Sequence, residues 1–75
     1  MSALLDARGL RCPLPVLKAR KALKDVAPGG ELTVLASDPA SPKDFAAFCE
    51  TTGCVMLSFE EKDGVYSFRL KKPAA

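Results

Sequence analysis

Apolar and polar positions follow two different periods along this chain, and the switches between them mark the elements. Ala3 to Ala7 is a short apolar stretch suited to a strand, and Gly9 permits a sharp change of direction after it. From about Pro13 the period lengthens. Val16, Ala19, Ala22, Leu23 and Val26 share one face of a helix that should pack on a sheet. Proline suits the first turn of a helix, so Pro13 and Pro15 place its start, and Pro28-Gly29-Gly30 ends it beyond about Val26.

Leu32 to Ala36 is a compact apolar run that reads as a central strand. Ser41-Pro42-Lys43-Asp44 opens a second helix: a Ser cap, Pro at the first position and an acid three residues after the cap. Phe45, Phe48, Cys49 and Thr52 share one face of it, and Gly53 ends it. Cys54 to Glu60 then alternates with Val55, Leu57 and Phe59 on one side, and Tyr66, Phe68 and Leu70 alternate likewise. Lys62-Asp63-Gly64 between them is a hairpin signal.

The order is strand, helix, strand, helix, strand, strand. Parallel crossovers are right-handed, so two helices on one face make the first three strands advance in one direction. The fourth strand pairs antiparallel with the third, either outside it or inserted between the second and third. The residues leave both placements open. Either way the fold class is α/β (α+β), a two-layer sandwich with both helices on one sheet face.

A chain of 75 residues supports one domain, residues 1–75. The first residues lack the basic and apolar segments of a signal peptide, and no apolar run could cross a bilayer. The expectation is a cytoplasmic protein with reduced thiols and no membrane partner. Three cysteines, an odd number, suit a free thiol better than a disulfide framework. With no His, zinc would need all three plus a carboxylate, which disfavours a metal site. A net charge of +2, four Phe, one Tyr and no Trp argue against direct nucleic-acid binding.

Cys12 is the cysteine placed for chemistry. It lies at or beside the start of the first helix, where the macrodipole and free N–H groups favour an anion. A thiol there ionises more readily, and the thiolate is the nucleophile. Pro13 and Pro15 stiffen the turn and supply no N–H, leaving that of Leu14 as the donor for the sulfur. Arg8 and Arg11 add nearby positive charge. A free Cys is more often a small buried hydrophobe; the rigid Pro-x-Pro start and the arginines favour the reactive thiol here.

Leu14 and Leu17 fall off the packing face, among Lys18, Lys21 and Lys24. A basic surface with two apolar anchors beside a reactive sulfur suits an acidic partner, although single exposed leucines are common. Cys49 reads as core, whereas Cys54 opposes the parity of its strand neighbours. The pair could serve as a resolving cysteine for Cys12 or as a redox pair with each other. Asp38-Pro39 starts a turn and lies on the side of the sheet where Cys12 is expected. Lys71-Lys72-Pro73-Ala74-Ala75 reads as a frayed tail.

The segment Leu5-Asp6-Ala7-Arg8-Gly9-Leu10-Arg11-Cys12-Pro13-Leu14-Pro15 resembles the Cys-Pro-x-Pro signature of the TusA/SirA sulfur carriers. The likeness continues through Arg20-Lys21, Pro28-Gly29, Ala36-Ser37-Asp38-Pro39 and Phe48-Cys49, nearly the whole chain. The resemblance implies sheet order 1-2-4-3 and a persulfide on Cys12, with no cofactor beyond that covalent sulfur. It implies a cysteine desulfurase or rhodanese-type donor and a downstream acceptor such as a DsrE-type protein. The sulfur would serve tRNA thiolation, cofactor biosynthesis or sulfur oxidation. Partner contacts in the family cluster on the Cys-bearing loop and first helix, at Leu17, Arg20 and Asp38 here. With the loop and the basic face, the expected partner-binding set is Arg11, Pro13, Leu14, Pro15, Leu17, Lys18, Arg20, Lys21 and Asp38. Thr51 departs from the aromatic found there in at least one member, which bears on partner choice. The carrier is expected to be a monomer that docks transiently, a relay protein rather than an autonomous enzyme. The alternative is a regulatory binding module that uses the basic helix, with Cys12 structural.

Overall fold

The computed structural model describes residues 2–11 and 13–73, with the side chain of Ser2 left out; Cys12 lies outside the described residues. Six elements follow in the expected order: β1 (Ser2–Ala7), α1 (Leu14–Lys24), β2 (Glu31–Ala36), α2 (Ser41–Thr52), β3 (Val55–Lys62) and β4 (Val65–Lys71). The four strands form one sheet in the order β1-β2-β4-β3, with β1 parallel to β2 and the other pairs antiparallel. Insertion of β4 between β2 and β3 resolves the ambiguity left by the residues and agrees with the order implied by the resemblance. The inserted strand carries Phe68 and Leu70, both fully buried, which belong at the centre of the sheet rather than at its edge.

Both helices cover one face of this sheet. Against them lie Ala7, Leu32, Val34, Ala36, Phe68 and Leu70, all buried, with Ala19, Leu23, Phe45 and Phe48 contributed by the helices. Phe45 stacks on Phe68 with centroids 4.6 Å apart and meets Phe48 edge-on at 6.0 Å. Val26, just past α1, is also buried, because Asp25 and Val26 tighten the helix end through bonds to the carbonyls of Ala22 and Leu23.

Four local readings need correction. Helix α2 begins one residue earlier than the Ser41 cap implied. Ala40 is the N-cap, and the Asp38 carboxylate accepts from the Ala40 N–H at 2.8 Å while Ser41 N–H donates to the Asp38 carbonyl. That Asx-turn starts the helix, so Ser41 sits inside the first turn with its hydroxyl buried.

The second correction concerns β3. A bulge at Leu57, between Met56 and Ser58, breaks the period of two. Met56 and Phe59, opposite Leu70 and Phe68, take the helix-side positions, while Val55 and Leu57 remain half exposed. Third, the tail is anchored as far as Lys72. Its backbone exchanges bonds with Gly29 and Gly30, and its ammonium donates to the carbonyl of Val26 at 2.8 Å near the end of α1. Fourth, Pro15 is fully buried under the start of α1 and offers no surface to a partner. The hairpin reading holds: Asp63 and Gly64 both take positive φ, 52° and 79°, the two-residue turn that joins twisted strands.

Candidate functional site

Parallel pairing of β1 and β2 ends with Ala7 opposite Ala36, so the loops leading into α1 and α2 leave the sheet side by side. Gly9 N–H donates to Ser37 Oγ at 2.8 Å and ties the two loops together. The loop carrying the motif is therefore held against the one that carries Asp38, which is half buried and engaged in its turn.

The backbone next to Cys12 is fixed on both sides. Pro13 is the N-cap of α1, and its carbonyl accepts from Leu17 N–H at 3.1 Å. Leu14 N–H donates to the Arg11 carbonyl at 2.8 Å. That bond corrects the expectation that the Leu14 N–H is left free for the sulfur. The first turn of α1 contains no acid to offset the positive end of the helix, whereas Lys21 and Lys24 occupy the last turn.

Arg8 is paired with a carboxylate and is not the free positive charge that its place in the sequence implied. Its Nε and Nη2 grip the two Asp6 carboxylate oxygens at 2.9 and 2.8 Å, and its N–H reaches Oδ1 as well. The side-chain bonds from Arg8, then the backbone one, hold the Asp6 carboxyl down to about 2 from an ordinary 3.8. A carboxyl lowered in the folded state stabilises it above the unfolded value and loses that contribution as pH falls from about 4 through about 2. Native-state NMR should therefore place the Asp6 midpoint near 2, and Arg8→Ala should raise it toward 3.8. An unchanged midpoint in the variant would contradict the pairing. Arg11 is exposed as well.

The remaining expected contacts separate into two surfaces. Leu14, Leu17, Lys18 and Lys21 recur at three- and four-residue spacing and share one exposed face of α1. Leu14 is 46% and Leu17 53% exposed. Arg20 instead turns toward α2, where its guanidinium sits 5.8 Å from the Phe48 ring centroid. There it lines a groove of about 440 Å³ with Lys24, Thr51 and Lys72. Thr51 thus borders the same groove as Arg20. Lys72 was missed at this groove because its position depends on strand pairing far away in the sequence.

Cys49 and Cys54 come together, with sulfurs 3.1 Å apart. Burial first, then the bond with Cys54, pushes the Cys49 thiol up to about 12. The Cys49 thiol so held is a poor nucleophile near neutrality, and Cys54 is buried, which leaves Cys12 as the reactive candidate.

A two-layer α/β protein that leads into its first helix through a Cys-Pro-x-Pro loop, with a basic, leucine-bearing face on that helix, defines a small class. Residues 3–72 match the family model described as Sulfurtransferase TusA, and the chain belongs to this family of sulfur carriers. It is 53% identical over 66 residues to a candidate sulfur carrier of Neisseria meningitidis serogroup A, covering 88% of this chain and 89% of that one. It is 47% identical over 68 residues to the sulfur carrier protein TusA of Allochromatium vinosum, at 91% and 90% coverage. The crystal structure of a SirA-like protein from Desulfitobacterium hafniense superimposes with a TM-score of 0.82 at 32% identity, covering 95% of this chain and 97% of that one.

Proposed function

We propose that this protein accepts sulfane sulfur as a persulfide on Cys12 and relays it to a second protein. The observation that carries the reading is the exposed Leu14–Leu17–Lys18–Lys21 face of α1, which begins two residues after Cys12. Apolar anchors ringed by positive charge suit an acidic partner that must bring its own sulfur to the loop.

The Cys12 thiolate attacks the outer sulfur of a donor persulfide. The donor S–S bond breaks, the donor thiolate leaves, and a new S–S bond forms on Cys12. An acceptor thiolate then attacks that outer sulfur and regenerates the Cys12 thiolate, with no net oxidation. A cysteine desulfurase or rhodanese-type enzyme is the donor and a DsrE-type protein a fitting acceptor. The sulfur then enters tRNA thiolation, cofactor biosynthesis or sulfur oxidation in the cytoplasm. The carrier works as a monomer with no other cofactor.

The test is incubation of the reduced protein with a cysteine desulfurase and free cysteine, followed by intact-mass and peptide analysis. One added sulfur on Cys12, removed by reductant, is the expected result. No adduct from several unrelated donors, with Cys12 still open to alkylation, would overturn the relay in favour of a binding module. Leu14→Glu combined with Leu17→Glu should slow loading by roughly 10- to 100-fold, the two anchors together being worth about 1.4–2.7 kcal/mol. The circular-dichroism melt should hardly move. Unchanged loading kinetics would place the donor elsewhere on the surface.

A further inference from the structure

The relay makes no use of Cys49 and Cys54, yet the chain brings them together by a specific device. Cys49 lies in the last turn of α2, and Gly53 caps that helix at φ +78°, donating its N–H to the Cys49 carbonyl at 2.8 Å. The left-handed turn reverses the chain so that Cys54 enters β3 with its thiol donating to Cys49 Sγ at 3.1 Å. A disulfide spans about 2.05 Å, so closure needs an approach of only about 1 Å. Thr52 Oγ1, which donates to the Phe48 carbonyl at 2.8 Å, lies 3.2 Å from Cys54 Sγ and packs the sulfur in place. Cys54 is 6% exposed, whereas Cys49 is half buried and the more accessible of the two.

We propose that Cys49 and Cys54 are a redox-responsive dithiol, separate from Cys12, that closes to an intramolecular disulfide on reaction with a low-molecular-weight disulfide such as glutathione disulfide. Cys49 gives its proton to solvent, and its thiolate attacks one glutathione sulfur. The glutathione S–S bond breaks, a mixed disulfide forms, and one glutathione leaves as a thiolate that takes up a proton. Cys54, already in contact, loses its proton and attacks Cys49 Sγ, displacing the second glutathione. Two protein thiols are oxidised, one glutathione disulfide is reduced to two glutathione molecules, and the protons balance.

Burial of the Cys49 thiol makes the first step slow near neutrality, so the pair answers sustained oxidation instead of competing with Cys12 for sulfur. The bond would tie the end of α2 to the start of β3. Thr51 and Thr52 lie between the two cysteines and line the groove with Arg20 and Phe48, so oxidation is coupled to that surface.

The sequence makes the test clean, because trypsin cuts after Lys43 and Lys62 and leaves both cysteines on one peptide, residues 44–62. Cys12→Ser protein, full length and folded by circular dichroism, is equilibrated in glutathione buffers of rising oxidised fraction, alkylated and digested. The expected product is peptide 44–62 without alkyl groups, about 2 Da lighter than the dithiol, increasing with glutathione disulfide and reversed by reductant. Adding Cys54→Ser should stop the reaction at a glutathione adduct on Cys49. Should that variant not fold, the Cys12→Ser reading decides alone. A doubly alkylated peptide at every ratio, or closure only after unfolding in urea, would overturn the proposal. Because Cys12 is absent, neither result depends on the relay.

Discussion

Cys12→Ser should fold and yet take up no sulfur, its intact mass after exposure to a desulfurase and cysteine being that of the untreated chain. A serine hydroxyl does not ionise in the neutral range, so the nucleophile that forms the new S–S bond is gone and the step has no slower version to fall back on. The two remaining thiols do not substitute for it. Cys49 is held as a thiol up to about 12 by burial and its neighbour, and Cys54 is buried in the core. Loading should therefore drop to the background of the assay, at least the 10²-fold that a mass measurement resolves, a loss of about 2.7 kcal/mol or more in transition-state stabilisation. Sulfur found on residues 44–62 of the variant would move the carrier site to the dithiol and sink the assignment of Cys12.

Phe45→Ala should cost most of the protein's stability. The ring is fully buried, stacked on Phe68 at 4.6 Å and edge-on to Phe48 at 6.0 Å, so it joins α2 to the central strand β4. Removing a ring from such a site costs about 3–5 kcal/mol, the lost transfer energy plus the cavity left behind. A domain of 75 residues has a total margin of roughly 4–11 kcal/mol. At about 4–8 °C per kcal/mol, the midpoint should fall by roughly 12–40 °C in a circular-dichroism melt. Phe59→Ala is the control. Its ring is 46% exposed on the outer strand and rests on Phe68 at 5.3 Å, so the loss should be about 1 kcal/mol. Equal shifts for the two variants would contradict the placement of the core.

The two experiments separate roles that the chain assigns to different elements. Phe45 and Phe68 hold the layers together, whereas the loop before α1 leads out of β1. Stability can therefore be lost without touching the thiol chemistry, and chemistry without touching the core.

Much of this architecture is local and could be read directly from residue order. The helical faces, the Asp63-Gly64 hairpin, the Gly53 stop and the exposed Leu14 and Leu17 each follow from spacing or backbone preference within one element. The motif segment was legible for the same reason, being eleven consecutive residues. Features that join distant parts of the chain were not. Insertion of β4 beside β2 depends on which strand best fills the middle of the sheet. The bulge at Leu57 appears only when β3 is set against β4, and it reverses the parity that alternation implied. Lys72 is anchored by carbonyls of Val26 and Gly30, more than forty residues earlier. Arg8 turned from a free charge near the sulfur into the partner of Asp6 because a two-residue turn brings the side chains together. Cys49 and Cys54 are the closest case to the boundary: their five-residue spacing was visible, but only the left-handed turn at Gly53 aims one sulfur at the other. Periodicity fixes which face a residue takes within its own element; pairing between elements decides which atoms meet, because that depends on contacts whose energies are shared across the whole core.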